Sequence, residues 1–133
     1  MSADKQGFIT LQPSEKDDVG ILFTVSGSNA GFGVDNTNAW VEKIKFDHFV
    51  SDFIELEQKR LGEICLQGMS PEEYQLRVFS LDTQGHMGLS MIRRMPKYYS
   101  NKIFWQHIEI AFEIDPEFMT KYVEEMKELK KNI

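Results

Sequence analysis

Residues 101–116, NKIFWQHIEIAFEIDP, decide the fold. From Gln106 onward the even positions Ile108, Ile110, Phe112 and Ile114 are apolar, while His107, Glu109 and Glu113 are polar. A period of two is the pattern of a half-buried strand, so Asn101–Ile114 reads as one long strand with one face in the core and the other toward water or a partner. Asp115 suits a helix N-cap, and Pro116 suits the first helical position, where a missing N–H costs nothing. Phe118, Met119, Tyr122, Val123, Met126, Leu129 and Ile133 then recur at helical spacing. Glu117 falls in the first turn and Lys127, Lys130 and Lys131 near the end, as the helix dipole favours. The expected unit is a strand followed directly by a helix that covers a sheet face.

Upstream, His86–Met95 reads as a strand with Met87, Leu89 and Met91 on one face, and Pro96–Ser100 as a looser segment leading into the long strand. Asp82-Thr83-Gln84-Gly85 is a four-residue hairpin turn behind a strand at Tyr74–Leu81. Ser70-Pro71-Glu72-Glu73 has the spelling of a capping box and predicts one turn of helix. Glu63–Met69 is a short strand. Before it, Phe46, Phe49, Val50, Phe53, Ile54 and Leu61 fall at helical spacing, with Asp52, Glu55, Glu57, Lys59 and Arg60 outward, Asp47 in the first turn and Gly62 at the end. The first forty-odd residues predict strands at Phe8–Leu11, Val19–Ser26 and Ala39–Ile44. The polar run Pro13–Asp18 joins the first two as a turn, and Gly27–Val34 and Asp35–Asn38 form two turn-rich segments around a brief extended piece. Four strands, a helix, four strands and a helix, with no βαβ rhythm, predict one α+β domain over residues 1–133. Its mostly antiparallel sheet has six to eight strands, with two main helices on one face.

A chain of 133 residues with 41% hydrophobic and 27% charged residues is long and apolar enough to bury a core unaided. Its net charge of −6 and pI near 5.1 argue against nucleic acid or anionic lipid and make a cationic partner the easier match. Arg93, Arg94, Lys97 and Lys102 run against that balance and read as a solvated turn and strand end. Cys65 is the sole cysteine, so no disulfide forms within the chain, which is consistent with the reducing cytoplasm. Met1–Gly7 has no apolar core of the signal-peptide kind, and no stretch approaches the roughly 18 apolar residues of a membrane span.

Gly27, Gly31 and Gly33 spell no Gly-Lys-Ser/Thr and no GxGxxG, and read as hairpin glycines. His48, His86 and His107 show no metal-ligand spacing, and Cys65 has no activating neighbour in sequence. No metal or cofactor is expected. His107 and Glu109 share a strand face where a proton or metal site is conceivable, but sheet exteriors commonly carry such residues. Trp105 has the same parity, so it projects to the less buried face. With Trp40, Tyr98 and Tyr99 it offers aromatic side chains of the kind that dominate protein interfaces.

Four stretches carry a family resemblance: Phe49–Glu57 (FVSDFIELE), Met69–Leu76 (MSPEEYQL), Leu81–His86 (LDTQGH) and Ile108–Pro116 (IEIAFEIDP). On these residues Trp40–Leu129, roughly two thirds of the chain, resembles the WapI-like immunity proteins of bacterial polymorphic toxin systems. The resemblance implies a cytoplasmic protein without catalytic activity that masks a cognate toxin domain, and it transfers no site motif. Together with the exposed strand face, it makes Trp105, His107, Glu109 and Glu113 candidate partner-binding residues. Asp52 and Glu55 on the outer face of the first helix join them, and a basic toxin domain is the expected partner. The alternative is a ligand-binding or homodimeric assembly module pairing through an exposed strand edge. Against an enzyme stands the lack of any clustered nucleophile, base or metal ligands.

Overall fold

Alternating apolar residues set the strands. In the computed structural model, which describes residues 7–70 and 72–133, Ile21, Phe23 and Val25 of one strand and Leu76 and Val78 of another are all buried. The intervening side chains face outward. The order is β1 (Gly7–Lys16), β2 (Gly20–Asn29), β3 (Phe32–Glu42), α1 (Lys43–Lys59), β4 (Glu63–Gln67), β5 (Tyr74–Ser80), β6 (Met87–Tyr99) and β7 (Lys102–Ile114). A 3-10 turn, Pro116–Phe118, then leads into α2 (Met119–Lys131). The fold is α+β and antiparallel, as the sequence indicates. Its seven strands divide between two sheets, β1-β2-β3 and β4-β5-β6-β7. The reading of the N-terminus as lacking a signal-peptide core rests on residues 1–6, and the capping-box reading on Pro71; these lie outside the described residues.

One core lies between the sheets and the helices. It joins Ile9, Phe23 and Val41 of the first sheet, Leu76, Leu89, Met91 and Ile110 of the second, Phe46, Val50 and Phe53 of α1, and Met119, Tyr122 and Met126 of α2. Each such side chain stabilises the fold by about 1.5–3 kcal/mol when fully buried. Gly27 permits a close approach of the sheets, since a Cβ there would lie 3.0 Å from Met91 and 3.4 Å from Ile110. Among the described residues no helix is long and apolar enough to cross a membrane.

Several boundaries differ from the sequence reading, each for a local reason. Asp35–Asn38 lies inside β3, because the chain bulges there: the register with β2 shifts between Val25 and Gly27, and Asn36 takes φ 51°. The Ser26 hydroxyl accepts a bond from the Asn36 N–H at 2.9 Å and donates to Asp35 at 3.1 Å, which satisfies the bulge. Pro96–Tyr99 lies inside β6, where Pro96 has β7 on one side only, so its missing N–H breaks no ladder. Ile44 belongs to α1, which begins at Lys43 and so leaves no acid in its first turn. Leu61 lies past the left-handed Arg60 cap and is 57% exposed; Leu56 takes the buried place instead. Asp115 makes no side-chain cap, and its carbonyl instead accepts the Phe118 N–H at 2.8 Å in the 3-10 turn.

Candidate functional site

The two central strands of the larger sheet differ in length. β5 pairs with β6 only from Ser80 opposite Met87 to Tyr74 opposite Arg93, whereas β6 pairs with β7 as far as Tyr99 opposite Lys102. Beyond Arg93, therefore, residues 94–107 leave the sheet as a two-stranded hairpin. Six residues per arm at roughly 3.4 Å each give it a reach of about 20 Å. Ser100 and Asn101 close the tip, with Ser100 at φ 57°.

The hairpin's two faces follow from the register. On the face turned away from the core stand Arg94, Pro96 and Tyr98, opposite His107, Trp105 and Ile103. On the other stand Met95, Lys97 and Tyr99, opposite Gln106, Phe104 and Lys102. Large apolar side chains are open on both: Tyr98 71%, Ile103 53% and Trp105 42% on the first, Tyr99 74%, Phe104 55% and Met95 46% on the second. The Arg94 guanidinium lies 4.5 Å over the Trp105 ring, a cation–π contact that holds both side chains in place. Next to them Glu72, Gln75, Ile92, Arg94 and His107 line an open concavity of about 550 Å³.

Arg93 anchors the root. Its side chain donates to the Thr37 hydroxyl at 2.9 Å, the Asn38 carbonyl at 3.1 Å, the Glu73 carbonyl at 3.0 Å and the Arg94 carbonyl at 2.7 Å. It thereby ties β3 of one sheet to β6 of the other.

The six residues singled out from sequence fall in three places. Trp105, His107 and Glu109 stand together on the outward face of β7, opposite Pro96, Arg94 and Ile92. Glu113 is four residues further on, roughly 13 Å away at strand spacing, opposite Gly88. There it adds to the field at His86, whose pKa is raised above the ordinary imidazole value, chiefly by its 2.5 Å bond to Asp82. Asp52 and Glu55 lie on α1 and line a separate concavity of about 240 Å³ with Leu61 and Glu63, beside β4 at the opposite edge of the sheet from β7. The Lys59 ammonium bonds Glu55 at 2.5 Å and lowers its carboxyl pKa. Trp40, grouped with the aromatics in sequence, pairs across from Leu22 in the other sheet.

The basic run also divides. Arg93 is half-buried and structural, Arg94 faces outward, and Lys97 and Lys102 sit near the hairpin tip. Sequence reasoning missed Met95, Ile103 and Phe104. Their signal was the consecutive run Ile103-Phe104-Trp105, which breaks the period of two and marks a strand apolar on both faces. His48 is exposed on α1, and Cys65 is exposed on β4 opposite Arg77, its thiol pKa raised by partial burial. Among the described residues no three His, Cys, Asp or Glu side chains gather as a metal site. The geometry defines an antiparallel α+β scaffold that presents an aromatic hairpin. The chain matches no protein-family model, no curated protein and no solved structure.

Proposed function

We propose that this chain is a non-catalytic binding protein of the immunity type, which acts in the cytoplasm by covering a cognate toxin domain with the β6–β7 hairpin and the sheet face at its root. One observation carries the reading: six large apolar side chains stand open on a hairpin that no other described element covers. Contiguous apolar surface of this kind marks an interaction site, and Trp, Tyr and Arg are the side chains that most often anchor one. Trp105 is held by Arg94 before any partner arrives, which lowers the ordering cost of binding.

The test is co-expression with the product of the neighbouring gene, assayed for toxicity alone and with this chain. Tyr98→Ala with Trp105→Ala should abolish protection while circular dichroism and the thermal midpoint stay close to those of the parent. Full protection by the double variant would remove the hairpin from the interface.

A second reading, a homodimeric module joined at strand edges, draws on the edges of Met95–Tyr99 and Lys102–His107, which pair only with each other in the sheet. Sedimentation equilibrium separates the two. A concentration-dependent dimer abolished by Tyr98→Ala with Trp105→Ala would favour it.

A further inference from the structure

Residues 94–107 contain Arg94, Lys97 and Lys102 and no aspartate or glutamate. The chain's −6, less these three positive charges, leaves −9 on the remaining residues. The hairpin reaches about 20 Å beyond the end of β5, some two screening lengths of roughly 8 Å at physiological salt. A group approaching the tip therefore meets the hairpin's own cations more strongly than the acidic body behind them. Apolar side chains are open on both faces of this ribbon, so an occupant that lies flat on one face leaves Tyr99, Phe104 and Met95, or else Tyr98, Ile103 and Trp105, in water.

We infer that the surface bound by this protein is an acidic cleft, on the order of 10 Å wide to admit one ribbon with its side chains, into which the hairpin inserts while the acidic body stays outside. The inference rests on the binding role proposed above and fixes the sign and shape of what is bound. It reverses locally the preference for a cationic partner that whole-chain charge suggests. The sign of charge changes along the hairpin: Lys97 and Lys102 lie toward the tip, while at the root Glu72 shares a concavity with Arg94 and Glu109 follows on the same face. A bilayer or a polynucleotide is an extended surface of one sign and would press against those carboxylates and the −9 body as it engaged the root. A folded protein with carboxylates confined to its cleft meets only the tip.

The experiment is titration calorimetry of the purified chain against the purified product of the neighbouring gene, with two variants of equal charge change. Lys97→Glu with Lys102→Glu reverses the tip; Lys130→Glu with Lys131→Glu places the same change on α2. The tip variant should bind on the order of a hundredfold more weakly, the α2 variant within about threefold of the parent, and added salt should weaken the parent complex. A tip variant that binds as tightly as the parent would overturn the inference and leave the binding role standing. A parent chain that forms no complex would overturn both. Vesicles of phosphatidylcholine and phosphatidylserine at 7:3, and a twenty-residue oligothymidylate, are run in parallel. Binding to either that the tip reversal abolishes would overturn the cleft by making a bilayer or a polynucleotide the occupant.

Discussion

Arg93 ties the root of the hairpin to both sheets. Its guanidinium fills four acceptors across two sheets, and no other side chain type has a planar fork of donors to match them. Arg93→Met should lower stability by about 2–3 kcal/mol, since hydrogen bonds to a charged group are worth more than neutral ones and the freed carbonyls lose their donor. Arg93→Lys should recover less than half of that, and urea unfolding midpoints measure both. His86 gives a pH prediction of definite sign. Its bond to Asp82 raises the folded pKa above the ordinary imidazole value. The contribution to the turn is therefore complete below the unfolded pKa and disappears as pH rises through the folded one. An NMR titration of the imidazole should give a midpoint above 6.5 in the parent and a lower one in Asp82→Asn. Equal midpoints would remove the bond from the account.

At the scale of elements, turn chemistry makes its own prediction. Ala30 and Gly31 form the two-residue loop between β2 and β3, with φ of 52° and 85°. Both values are left-handed, which suits Asn-Gly and strains alanine by roughly 1–2 kcal/mol. Ala30→Asn should therefore raise stability by about 0.5–1 kcal/mol, readable as a higher thermal midpoint; a lower one would mean that the loop relaxes otherwise. The same local rules explain what was legible in the sequence. β7 after Gln106 and α2 obey single periods of two and 3.6, because one side of each is buried throughout, so both could be read directly. β3 hid behind a bulge at Asn36, and the distal part of β6 behind Pro96, because polar residues and proline look like turns unless a cross-strand partner is known. For the site, parity along β7 was enough to place Trp105, His107 and Glu109 together. Nothing local shows that Asp52 lies across the sheet from them, or that β5 stops short of β6.

For the whole molecule, the decisive feature is that one core serves both sheets while the hairpin stands outside it. Val25 of β2, Leu89 of β6 and Phe53 of α1 belong to the same buried cluster, so neither sheet can open without exposing the side chains of the other. Native-state hydrogen exchange should then give the amides of Val25 and Leu89 one common opening free energy. Leu89→Ala should lower both together by about 2–5 kcal/mol, the cost of a lost buried leucine and the cavity it leaves. Different openings at the two sites would mean that the sheets are separate cooperative units. Residues 95–106 should exchange far faster than either, because two strands with both faces in water have little burial to resist local opening. That difference has a functional consequence. A rigid body carrying a locally labile hairpin can adjust the ribbon to a cleft without loss of the fold, so a bound partner should slow exchange at residues 95–106 and leave Val25 and Leu89 nearly unchanged. Protection that instead spread evenly over the chain would place the interface elsewhere.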